Sequence, residues 1–225
     1  MANPALFQFN LPKSGRPSEI TIAQPWYPGI QKYWPTCTTK RSVDPIFGVV
    51  AVVIHATAGA SSEGAISVMK KPADAASFHW LVPDEDEAQH GHLVWACVPE
   101  ALAAWHVRNA VAHADVNKGA KKVNHWSLGI EVVNAQKDDP FSSWQLEAAA
   151  RIVRYCWAKY PRLVHVVSHA KLDPGRRSDP GENFDWLRFR DLVLHGADEA
   201  IPALVAAATP AAKIKTKAAA GCCDG

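Results

Sequence analysis

No apolar run in this 225-residue chain is long enough to cross a membrane. The run at residues 49–54 stops at His55, whereas a spanning helix needs about 20 apolar residues. Charge of one sign is not in excess either. Lys and Arg number 24 against 22 Asp and Glu, a net charge of +2, which excludes the basic footprint of a nucleic-acid or membrane-surface protein. The N-terminus, MANPALFQFNLPKSG, has no basic start followed by a long apolar stretch. It does not read as a secretory signal peptide, so synthesis in the cytoplasm is expected. The five cysteines, at 37, 97, 156, 222 and 223, include no C-x-x-C pair, which argues against a cysteine-held zinc ion. Their odd number and scatter are those of free thiols in a reducing compartment. H-E-x-x-H and the phosphate-cradling G-x-x-x-x-G-K-[ST] are also missing. Residues 59–64 resemble a nucleophile elbow, but the second glycine falls one place late for a serine hydrolase.

What is present suffices for a sizeable core: 48% of residues are hydrophobic and 20% charged, and wholesale disorder is excluded. Residues 1–45 are rich in Pro, Gly and aromatics, among them Pro25, Trp26, Tyr27, Pro28, Gly29, Tyr33, Trp34 and Pro35. They sustain no period of 2 or 3.6 and read as an irregular arm whose aromatics either cover a core edge or wall a cleft. From residue 49 the pattern changes. Residues 49–54 are apolar and β-branched, as in a strand buried on both faces. A short helix at 62–70, a strand at 79–82, an acidic turn at 84–87 and strands at 92–98 and 128–133 follow. The clearest helix is 143–160. Ser142 and Gln145 form a capping box, Leu146, Ala149, Ala150, Val153, Trp157 and Tyr160 share one face, and Pro161 ends it. A strand at 163–167, a Gly/Pro loop at 170–183 and a helix at 184–195 complete an α/β domain over residues 46–196. Residues 197–225 are Ala-rich, with Pro202, Pro210 and three lysines, and read as a flexible tail. No internal repeat occurs.

Among ten histidines, two stand at informative places. His55 ends the buried strand, and His169 follows the strand at 163–167. α/β proteins put ligands at such carboxyl ends. Asp179 lies in the loop after His169 and has room to turn back toward it. Two imidazoles and a carboxylate with an open fourth position suit a catalytic zinc ion, although by spacing alone the three are as easily a coincidence. Glu131 sits inside an apolar strand, with Gly129 and Val133 on its face. It is either an edge residue in solvent or a general base beside a metal site.

The segments VVIHATAG, SFHWLV, AAWHVRN, SLGIEVVN and SHAKLDPGRRSDPGENFDWLRFRDLV resemble the zinc-dependent N-acetylmuramoyl-L-alanine amidases of type 2. That family includes phage lysozyme-type amidases, muropeptide-recycling amidases and peptidoglycan recognition proteins. The resemblance covers residues 49–193, with the motifs in family order. It implies a single α/β domain, a central mixed β-sheet flanked by helices, with zinc at one end of the sheet. It further implies one zinc ion per chain, held by His55, His169 and Asp179, and Glu131 as the catalytic glutamate. Arg177 stands where many members carry lysine, and its implied role is to stabilise the oxyanion beside zinc. Val107 replaces the glycine that often follows A-W-H. Trp105 and His106 match a cleft motif and are assigned to substrate contact, the alternative being a core Trp and a surface His. His79 reads as a packed strand residue.

The implied reaction is hydrolysis of the amide between N-acetylmuramic acid and L-alanine. The substrate is peptidoglycan or a muropeptide, with no nucleic-acid partner and no membrane span. A cell-wall-lytic role, reached through a holin or a dedicated export system, is the leading expectation. Cytoplasmic recycling of anhydro-muropeptides is the alternative, and a non-catalytic peptidoglycan-binding module is disfavoured because all three ligands and the glutamate are present. Stem-peptide preference, oligomeric state and the roles of Cys222 and Cys223 are not legible.

Overall fold

The structure, a computed structural model, describes residues 2–18, 36–88, 91, 93–136 and 139–196. The aromatic-rich part of the arm, residues 25–35, lies outside the described residues, as do His90, His92 and the tail with Cys222 and Cys223.

The apolar, β-branched run forms β3 (Ala51–Ala56), buried along its whole length. Its backbone polar groups therefore need neighbours on both sides. They find them in two parallel strands, β7 (Ser127–Val132) and β8 (His165–Ser168). β4 (Trp80–Val82) extends the parallel set beyond β7. β1 (Gln8–Asn10) and β5 (Trp95–Ala96) close the edges antiparallel. The order is β1-β8-β3-β7-β4-β5, so the expected mixed sheet flanked by helices is observed. β2 (Thr38–Lys40) and β6 (Leu102–Ala104) form a separate ribbon.

α3 (Ser143–Lys159) begins at the expected capping box, with Ser142 Oγ accepting from Gln145 N and Gln145 Oε1 accepting from Ser142 N. Its predicted apolar face is buried from Leu146 to Tyr160. With α5 (Trp186–His195) it covers the sheet face that carries Val52, Ile54, Leu128 and Ile130. Each such aliphatic side chain removed from water contributes about 1.5–3 kcal/mol. Ala51 and Val53 point to the other face, under Val107, Val123 and Trp126. There α1 (Ser62–Lys70) packs Ile66 and Met69 against Leu81 and Val133.

Three readings need correction. The arm is not irregular throughout: Phe7, Phe9 and Leu11 alternate into the core and β1 joins the sheet, with Phe7 stacked on Trp186 at 5.1 Å. That alternation covers only five residues, too few to stand out beside the prolines. The strand at 92–98 shrinks to Trp95–Ala96. The loop at 170–183 opens with a helical turn, α4 (His169–Leu172), capped by Ser168 Oγ accepting from Lys171 N.

Arg41 carried no signal in the sequence, yet it is buried. It donates to the carbonyls of Glu100, Asn124, His125 and Ser127 at 2.9–3.0 Å. These bonds tie β2 to α2 (Val123–Trp126) and so fix where β7 begins. Burial lowers its pKa to about 10, which leaves it charged among four carbonyl oxygens. Cys37, Cys97 and Cys156 are free and buried, and burial pushes the Cys97 and Cys156 thiols up, so neither serves as a nucleophile. No helix among the described residues is long and apolar enough to cross a membrane.

Candidate active site

Parallel strands end at a common rim, and here β3 carries His55 one residue before its end while β8 runs straight into His169. Register places Glu131 of β7 directly beside His55. The loop after α4 returns because Ala170 N donates to the Asp179 carbonyl at 2.9 Å. Asp179 Oδ2 then lies 3.1 Å from both His55 Nδ1 and His169 Nδ1, and the two nitrogens are 3.0 Å apart. All three side chains are buried.

This donor set fits zinc. Ligand bonds of about 2.0–2.1 Å in a tetrahedron put ligand atoms roughly 3.3 Å apart, close to the triangle seen. Two imidazoles and one carboxylate, grouped as one buried set, leave a fourth corner open, as in catalytic zinc sites. Burial, aided by the neighbouring His169, lowers the His55 pKa to about 4, so its ring is neutral and able to ligate at neutral pH. Burial opposes ionisation of Asp179, but its close contacts with His169 and His55 hold its carboxyl well below the usual range. Burial and the charge of Asp179 push the Glu131 carboxyl well above its ordinary value, with Arg177 opposing. A carboxylate with raised proton affinity is a better base for work near neutrality.

A cavity of about 500 Å³ opens over this rim, with Trp105, Arg108, Arg176 and Arg177 on its walls. Arg177 is exposed; its backbone N donates to the Asp173 carbonyl at 3.0 Å, while its guanidinium makes no hydrogen bond or ion pair among the described residues. Asp173 is held instead by Arg108, at 2.8–3.0 Å, and by Arg176 at 3.7 Å. Trp105 is partly buried on the cavity wall, its backbone N donating to Ser77 Oγ. His106 is neither a surface residue nor only a wall: its Nδ1 lies 3.0 Å from His55 Nε2. Its backbone is fixed by Asn124, whose Oδ1 accepts from His106 N and Val107 N. His79 is fully buried, as read, and its Nδ1 accepts from Gly129 N. Sequence reasoning missed Arg108 and Asn124, whose partners Asp173 and His106 lie 65 and 18 residues away.

Burial is the first cause depressing the pKa of His55, His79 and His106. Below about pH 6.5 the unfolded chain binds protons that these rings refuse when folded. Their contribution is complete above that pH and falls by roughly 1.4 kcal/mol per group per pH unit below it. Glu131, raised on folding, acts in the opposite direction, one group against three. Urea unfolding of the metal-free protein is expected to show a clearly lower midpoint at pH 5.5 than at pH 7.5. Equal midpoints would contradict three neutral buried rings.

Residues 47–182, more than half of the chain, match the family described as N-acetylmuramoyl-L-alanine amidase. The chain belongs to this family. It is 31% identical over 159 residues to N-acetylmuramoyl-L-alanine amidase AmiD of Escherichia coli strain K12, covering 66% of this chain and 55% of AmiD. It is 29% identical over 105 residues to 1,6-anhydro-N-acetylmuramyl-L-alanine amidase AmpD of Enterobacter cloacae, covering 46% and 53%. The chain thus spans about half the length of the curated relatives it matches. Among solved structures it is similar to a complex of E. coli AmiD with the substrate anhydro-N-acetylmuramic acid-L-Ala-D-γ-Glu-L-Lys. That likeness has a TM-score of 0.55 at 27% identity, covering 68% of this chain and 61% of the other. The family's α/β architecture is the one built here from β3, β7, β8 and their helices.

Proposed function

We propose that this chain hydrolyses the amide joining N-acetylmuramic acid to L-alanine, using one zinc ion held by His55, His169 and Asp179. The observation that carries this reading is the convergence of those three donors one strand-to-strand step from Glu131. Zinc, when bound in such a set, supplies Lewis acidity and lowers the pKa of water. Glu131 takes the proton of the attacking water and returns it to the leaving nitrogen, so the stem peptide departs as an amine. Arg177, its guanidinium unpaired among the described residues, turns a fixed positive charge toward the oxygen on which negative charge develops. Trp105 lines the substrate cleft.

The names of the relatives favour a second reading of the biology, in which the substrate is a soluble anhydro-muropeptide and not the intact wall. Incubation with each substrate, followed by mass analysis of released stem peptide, separates the two. Release from intact sacculi supports the lytic role, and release from the soluble substrate alone supports recycling. Release from neither would overturn the activity. On whichever substrate is cleaved, Arg177→Ala is expected to lower kcat by an amount equal to about 2–4 kcal/mol of barrier, the range for one lost oxyanion donor, with a smaller change in KM. An unchanged kcat would remove Arg177 from the reaction.

A further inference from the structure

The geometry points to His106 as a positioning residue that fixes the proton of His55, so that the His55 Nδ1 lone pair faces His169 and Asp179. This rests on the reading of His55 as a metal ligand. The chain of contacts starts at the carbonyl of Val123, which can only accept. Ser127 Oγ is 2.8 Å from it and donates to it. The hydroxyl therefore turns a lone pair to His106 Nε2, 3.2 Å away, and His106 carries its proton there. A neutral ring protonated at Nε2 has its lone pair at Nδ1. That atom faces His55 Nε2 at 3.0 Å, so His55 is protonated at Nε2 and bare at Nδ1. Each link has one donor and one acceptor, and the direction is set by the backbone oxygen at its start.

Packing brings the His106 ring to this place. It stands perpendicular to His55, with centroids 5.1 Å apart, and lies flat over Gly129. A Cβ on Gly129 would be 2.7 Å from His106 Cγ, so only glycine admits the ring. Alternation along β7 thus gives each residue of Ser127-x-Gly129-x-Glu131 a separate task on one sheet face: Ser127 anchors His106, Gly129 makes room for it, and Glu131 reaches the reacting atoms. The outer nitrogen of His169 has no such support: His169 Nε2 is buried without a partner among the described residues. Outer hydrogen bonds to metal-bound imidazoles typically carry 10–100-fold in metal affinity, and here that role falls on one ring.

The test is zinc affinity of the purified full chain, measured by competition with a chromophoric chelator, with the absorption spectrum of the cobalt-substituted protein as a second readout. His106→Ala is expected to weaken zinc binding by about 10–100-fold and to shift the cobalt spectrum. His106→Asn, which returns an acceptor near the position of Nδ1, should recover part of both. Ser127→Ala should weaken binding in the same direction by less, and it tests the chain if the alanine variant at 106 does not fold. Trp105→Ala should leave zinc affinity unchanged. Wild-type zinc affinity and cobalt spectrum in both His106→Ala and Ser127→Ala, with a raised KM in the former, would overturn the proposal and return His106 to substrate contact. If the wild-type chain itself bound no zinc, the failure would lie with the ligand set and not with His106.

Discussion

Replacing Glu131 with glutamine is expected to cost two to four powers of ten in kcat, about 3–5 kcal/mol of barrier, while zinc stays bound. Glutamine keeps the shape of glutamate but cannot take a proton. Glu131 is outside the triangle of His55, His169 and Asp179, so the metal site should be intact. Stability should hold or rise, because the substitution removes a carboxyl whose ionised form is disfavoured by burial and by Asp179. Metal analysis, urea unfolding and kcat on one preparation distinguish this from a general structural defect, which would lower all three. Full activity in the variant would make Glu131 a strand residue only.

His55→Ala should abolish both zinc binding and activity. Two donors, His169 and Asp179, remain, too few for the closed side of a catalytic site. Wild-type protein should gain thermal stability when zinc is added, by about 4 kcal/mol at a thousandfold excess over Kd, and lose it again with a chelator. The variant should show neither response. Removing an imidazole whose Nε2 faces His106 also leaves that ring without its partner, so a modest loss of metal-free stability is expected. Retention of one equivalent of zinc by His55→Ala would mean that the metal sits elsewhere.

Much of the fold was legible because its signals are local. The β-branched run before His55, the capping box at Ser142 and the apolar face of α3 each lie within a few residues, and the structure places elements where they fall. Proximity in space was legible only through the family pattern. Nothing in the spacing of His55, Glu131, His169 and Asp179 fixes the 3.0–3.1 Å triangle, which depends on three parallel strands ending together and on the backbone bond from Ala170 to Asp179. Arg41 was illegible because its four carbonyl partners lie 59 to 86 residues away. The surroundings of His106 were illegible for a related reason. Its neighbours His55 and Ser127 belong to adjacent strands, and its seat exists only because Gly129 lacks a side chain. The edge strand β1 was hidden by brevity, since its alternation spans just Phe7, Phe9 and Leu11.

The most direct measurement is mass spectrometry of an anhydro-muropeptide hydrolysed by the zinc-loaded chain in ¹⁸O-labelled water. Attack of water on the lactyl carbonyl breaks its bond to the alanine nitrogen, leaving one labelled oxygen in the sugar's carboxylate. The peptide should leave with an unlabelled, free alanine amine. Chelated protein should give no product, and added zinc should restore it. Label found in the peptide, cleavage at any other bond, or equal turnover with and without zinc would contradict a zinc-dependent amidase site built on His55, His169, Asp179 and Glu131.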